Sequence, residues 1–170
     1  MNEIRIDLDG LQEIQAAWAK APEICREELG AAMSEADLLL EHELKDSPEM
    51  RRATAHGQLR GSVFGIERVS DTQVIGIVGT PVNYAVPVEL GTKPHFPPIE
   101  PLVDWVRQKL DIADEKQARG VAFLIARKIS RRGTQGAFMF THTFEREEAK
   151  VQAIFRHARD RIVARLSGAR

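Results

Sequence analysis

Apolar and polar residues alternate at the start of the chain. Ile4, Ile6 and Leu8 interleave with Arg5 and Asp7, which predicts a short strand over residues 3–8. Asp9-Gly10 reads as a turn or a helix start. From Leu11 the period lengthens. Leu11, Ile14 and Trp18 share one helical face at steps of three and four. Pro22, tolerated in a first helical turn, predicts a second helix start. Ile24, Leu29, Met33, Ala36, Leu40 and Leu44 carry the apolar stripe onward until Asp46-Ser47-Pro48 ends it. The pattern therefore predicts two helices, or one kinked helix.

Residues 46–61 are polar and read as an exposed loop with Arg51, Arg52, His56 and Arg60. Two β-rich runs follow, residues 62–69 and 72–79, and Ser70-Asp71 between them suits a tight hairpin. Tyr84 to Leu90 fits a short extended or helical piece. Gly91, Pro94, Pro97, Pro98 and Pro101 predict a stiff, irregular loop over residues 91–101. Leu102, Val103, Trp105, Val106 and Leu110 then fit a short amphipathic helix. Val121, Leu124, Ile125 and Ile129 fit another, broken at Gly133 to Gly136. Residues 142–166 carry Phe144, Val151, Ile154, Phe155, Ile162, Val163 and Leu166 at helical spacing, so a C-terminal helix is expected within 142–170. The expected class is α+β: a small antiparallel sheet of about three to four strands, packed against a long N-terminal helix and C-terminal helices. No internal repeat is evident, and residues 1–170 read as a single domain.

Composition supports that picture. The 170 residues are 43% hydrophobic, enough for a core and suited to one domain. No apolar run approaches the roughly 18 residues of a membrane-spanning helix, so no membrane partner is expected. The first residues lack a basic-then-apolar signal pattern, so no cleaved secretion signal is expected. The single Cys25 cannot form an internal disulfide or a cysteine metal site, which fits a reducing cytoplasm. Net charge is −1, but residues 1–50 hold 13 acids and 4 bases while residues 51–170 hold 12 acids and 20 bases. Such a split can set an acidic face against a basic one, within the chain or between subunits.

Catalytic patterns fail. The five histidines (His42, His56, His95, His142 and His157) show no HExxH spacing and no carboxylate cluster. His95 follows Glu89 across a turn, a conceivable pair that reads more simply as a carboxylate that caps or salt-bridges and an exposed loop histidine. There is no GxSxG elbow and no Walker loop. Cys25 sits in an acidic stretch, the wrong surroundings for a reactive thiolate. No enzyme, metal or cofactor is expected. Arg127, Lys128, Arg131 and Arg132, with Arg156, Arg159, Arg161, Arg165 and Arg170, could meet a nucleic-acid backbone. That supports an alternative: a small non-enzymatic nucleic-acid-binding protein using the basic C-terminal half.

Three segments carry a family resemblance. Ala55-His56-Gly57-Gln58-Leu59-Arg60-Gly61-Ser62 is similar to a Thr-Gly-x-Leu-Arg-x-Ser opening, with His56 where Thr is usual. Tyr84-Ala85-Val86-Pro87-Val88-Glu89-Leu90-Gly91-Thr92 resembles a Tyr-Ala-x-x-x-Glu-x-Gly-Thr signature followed by a proline-rich loop, with Pro87 intruding. Residues 122–129, Gly133-Thr134 and Phe138-Met139 resemble the closing helix, turn and aromatic. Together they resemble the siphophage minor tail and tail-completion proteins of the neck, the family that includes the phage lambda minor tail protein Z.

The resemblance implies a structural virion protein in a ring of six or twelve copies that completes the tail and joins it to the head around the DNA channel. Its partners would be further copies, other neck and tail proteins, and DNA contacted without sequence preference. Its locations would be the virion and, during assembly, the host cytoplasm. Candidate motif and subunit-contact residues are Leu59, Arg60, Tyr84, Glu89, Gly91, Thr92, Pro94 and Phe96, and candidate channel residues are Lys128, Arg131 and Arg132. The physical reading of the signature is a sharp turn: glycine can take positive φ, and the Glu89 carboxylate can accept nearby backbone N–H bonds.

Overall fold

The computed structural model describes residues 11–53, 57–70 and 73–167; the strand expected over residues 3–8 lies outside them. Leu11–Asp46 forms one helix, α1, that runs through Pro22. Proline there leaves the Trp18 carbonyl without its helical donor and costs about 3 kcal/mol. The helix continues because its stripe is buried at Ile24, Ala32, Ala36, Leu40 and Leu44. Trp18, read with that stripe, is exposed.

The expected loop over residues 46–61 contains two short helices among its described residues, α2 (Pro48–Ala53) and α3 (Gln58–Ser62). The start of α2 follows helix-capping chemistry. The Ser47 hydroxyl accepts the Met50 N–H at 3.1 Å, and Pro48 stands where no N–H is needed. A hairpin follows, β1 (Phe64–Val69) and β2 (Val74–Gly79), closed by the Ser70 N–H on the Gln73 carbonyl at 2.8 Å. Then come α4 (Ala85–Leu90), β3 (Gly91–Thr92), α5 (Ile99–Lys109), α6 (Glu115–Arg132), β4 (Thr134–Gln135) and α7 (Met139–Leu166). The class is α+β, but the single sheet expected is instead two separate two-stranded ladders among the described residues: β1 with β2, and β3 antiparallel to β4. Irregular structure is narrower than proline density suggested. Pro87 sits in the first turn of α4 and Pro101 in the first turn of α5, positions that need no proline N–H.

The chain forms two compact units. The first takes in α1 as far as Asp37, Ile66–Ile77, and α7 from Ala149. Here Arg161 Nε meets Glu28 at 2.6 Å, and Arg165 meets Glu28 at 3.0 Å and Glu27 at 2.8 Å. The acidic start and basic end of the sequence thus neutralise one another within one chain, and three of the C-terminal arginines have carboxylate partners once Arg159–Asp160 is included. In the hairpin, Gly76 faces α1 so closely that a Cβ there would overlap Met33 and Asp37. Ser34 donates its hydroxyl to Glu67 from the same side. Side chains alternate along a strand, so Ile66, Ile75 and Ile77 point the other way.

Asp37 is buried, and its Oδ2 has no hydrogen-bond partner. Burial, then the Glu67 charge, raise its carboxyl above the usual aspartate range. A group raised on folding contributes most below its unfolded value and loses that contribution as pH climbs through its folded value. Glu28, Glu41 and Asp46 act oppositely, held low chiefly by Arg161, Lys45 and Arg60. Their contribution is lost as pH falls. Asp37→Asn is therefore expected to add about 1 kcal/mol at neutral pH and less at acid pH, where the native carboxyl takes up its proton. Paired urea titrations of the two chains at both pH values check this, and a constant difference would refute it.

The second unit takes in α1 from Leu38, the chain to Gly65, and Val78–Glu148. One core gathers Leu44, Met50, Leu59, Val63, Ala85 and Met139. Another joins α5 to α6 through Val103, Val106, Ala118 and Ala122.

Candidate functional site: a clip, a groove and a basic helix end

The Glu89 signature is one half of a clip in the second unit. α7 begins after Phe138, a residue at φ 51° whose side chain has no oxygen to cap a helix. Glu89 supplies the missing cap from elsewhere in the sequence. Its carboxylate accepts the N–H groups of Phe140 and Thr141, both at 3.0 Å, and the Thr141 hydroxyl at 2.9 Å. These are the second and third helical N–H groups, which a local cap would satisfy. The carboxylate also meets the positive end of the helix dipole. Beside it, the Ala137 N–H donates to the Val88 carbonyl at 2.8 Å and the Phe138 N–H to the Glu89 carbonyl at 3.1 Å.

The ladder of β3 and β4 completes the clip, with Gly91 opposite Gln135 and Thr92 opposite Thr134. The two threonine hydroxyls lie 3.0 Å apart, and Thr92 Oγ1 accepts the Thr134 N–H at 3.2 Å. Gly91 has φ 78° and Gly133 φ 70°. A Cβ on Gly91 would overlap the Thr134 carbonyl, and one on Gly133 the Thr92 carbonyl. Gly133 also ends α6, its N–H reaching the Ile129 carbonyl at 2.8 Å.

The other motif residues divide cleanly. Leu59 is fully buried in the first core. Arg60 caps the end of α1, donating to the Lys45 carbonyl at 2.8 Å and to Asp46 at 2.6 Å. Leu59, Arg60, Glu89, Gly91 and Thr92 thus serve the architecture of their own chain. Tyr84, Pro94 and Phe96 remain exposed. Glu89 and His95 do not form a pair: the carboxylate is spent on α7, and His95 Nδ1 lies 3.0 Å from the Lys93 carbonyl. Among the described residues no group of three histidine, cysteine or carboxylate side chains is placed to hold a metal.

Above the clip lies an open groove of about 790 Å³. Tyr84, Pro87, Val88, Trp105, Ile125 and Ile129 give it apolar walls, and Thr92, Thr134, Arg52, His95 and Asp104 add polar groups. The proposed channel residues lie on α6. Lys128, Arg131 and Arg132 are exposed, as is Arg127. None of the four pairs with a carboxylate among the described residues, whereas Arg119 nearer the start of α6 meets Glu100 at 3.0 Å. The structure also places Phe96 against Phe123, ring centroids 6.2 Å apart. Sequence reading missed that pair, because nothing local links the proline loop to α6.

Comparison with family models, curated proteins and solved structures gave no match. The functional reading therefore stands on the geometry and the motifs. They define a mixed helix-and-sheet protein with a rigid internal clip, an unpaired basic helix end and several uncovered apolar surfaces.

Proposed function

We propose that the chain is a structural subunit of a tailed phage or prophage neck, assembling as a ring at the end of the tail around the DNA channel. The observation that carries this reading is the outer face of the hairpin. Ile66, Ile75 and Ile77 are 45%, 39% and 47% exposed on the side turned away from α1. A two-stranded ribbon is marginal alone, and an apolar ribbon to which no further strand pairs among the described residues invites pairing with another chain. Repetition of such a contact closes a ring when the rotation permits. The motif resemblance supports the same reading, with the clip acting as the rigid frame of each subunit.

The alternative, a nucleic-acid-binding protein using the basic C-terminal half, is favoured by the four exposed cations at the end of α6, none of them paired with a carboxylate among the described residues. It draws less support from the chain end, where Arg161 and Arg165 are taken up by Glu27 and Glu28.

Native mass across concentration, with negative-stain images, tests the assembly. The expected result is a closed ring of about six or twelve copies. The paired variant Ile75→Thr/Ile77→Thr keeps β-forming residues and is expected to remain folded but monomeric. A wild-type chain that stays monomeric at all concentrations, alone and with isolated phage tails, would overturn the reading.

A further inference from the structure

We infer that the outward face of α6, with Phe96 beside it, is a binding face for single-stranded nucleic acid. This goes beyond the neck assignment and holds whether or not the chain forms a ring.

Arg127, Lys128, Arg131 and Arg132 put four charges into the last six residues of α6. All are exposed, and none has a carboxylate partner among the described residues. At 100° per residue they spread over about 140° of the helix circumference, a band on one side of the helix rather than a single line. Such a band complements a polyanion lying along that side of the helix end.

The aromatic pair decides which polyanion fits. Phe123 lies one turn before Arg127 on the same helix face. Phe96, held by the stiff segment between Lys93 and Pro98, packs against it at 59° between ring planes. The two rings are 55% and 51% exposed, so each keeps free surface. Phenyl rings offer stacking surfaces to bases, and cations track the backbone; together they make a single-strand site. In a duplex the base faces are already stacked, and the rings would add little. From Phe123 to Arg131 the helix advances ~12 Å, about three nucleotides at the ~3.4 Å spacing of stacked bases.

The test is fluorescence anisotropy on the full chain, with a labelled mixed-sequence 15-nucleotide DNA as single strand and as duplex, across a salt series. The single strand is expected to bind at least about tenfold more tightly. Phe96→Leu/Phe123→Leu keeps apolar bulk and loses the rings; it is expected to weaken single-strand binding about tenfold and leave duplex binding unchanged. Arg127→Gln/Lys128→Gln/Arg131→Gln/Arg132→Gln is expected to weaken both and flatten the salt dependence. Circular dichroism confirms that each variant is folded. Equal affinity for the two DNA forms, or leucine variants that bind the single strand like wild type, would overturn the inference. So would a poly-glutamate 15-mer that displaces the strand at equal concentration, which would make this an acidic-protein site.

Discussion

Gly133→Ala is expected to destabilise the chain by about 2–5 kcal/mol. Two costs add. At φ 70° an alanine carries a left-handed penalty of about 1–2 kcal/mol. Its Cβ would also overlap the Thr92 carbonyl and crowd Lys93, and forced overpacking costs a further ~1–3 kcal/mol. Neither cost can relax cheaply, because the crowded atoms are backbone and belong to a ladder. Gly120, in the middle of α6, makes the contrast. Nothing lies within 4 Å of a Cβ built there, so Gly120→Ala should gain up to about 1 kcal/mol of helix propensity. Urea midpoints for the two variants should move in opposite directions. Parallel shifts would show that the clip does not restrict Gly133.

The second large effect is at Glu89. Replacing it by alanine leaves the N–H groups of Phe140 and Thr141 without their acceptor and removes a negative charge from the start of α7. Loss of a helix cap costs ~1 kcal/mol on average, and hydrogen bonds to a charged group reach ~1.5–3 kcal/mol. Glu89→Ala is expected to cost about 2–3 kcal/mol. Glu89→Gln keeps an acceptor of the same length and should cost about half as much. Hydrogen exchange reads the mechanism directly: the Phe140 and Thr141 amides should lose protection in the alanine variant while the α5–α6 core keeps its own. Unchanged protection at those two amides would refute the capping role.

Local pattern made much of this legible. The stripe from Ile24 to Leu44 is a buried helix face, the hairpin lies where alternation and Ser70 put it, and the spacing of Glu89, Gly91 and Thr92 marked a turn with a useful carboxylate. The failures have physical causes. Pro22 looked like a helix boundary because its local penalty is real, but burial of the stripe that follows it, from Ile24 to Leu44, outweighs that penalty. Ser47-Pro48 was read as the end of a helix, although the same pair also starts one. β3 and β4 are two residues each, too short to show any period. Gly133 to Gly136 read as a helix break and a turn but not as a strand, because the partner that explains them lies some forty residues earlier. The same distance in sequence hid the Phe96–Phe123 pair.

The clip also ties folding to the direction of protein synthesis. Glu89 leaves the ribosome 51 and 52 residues ahead of the two amides it caps. At ~5–20 residues per second that is a wait of about 3–10 s. During the wait water must serve the Glu89 carboxylate and the Val88 carbonyl, and one wall of the groove has yet to be made. Helices α5 and α6 are synthesised inside this interval and can pair with one another at once, since their contacts are close in sequence. The nascent second unit thus passes through a stage with its α5–α6 core formed and its clip open, and translation of Thr141 supplies the last donor that shuts it.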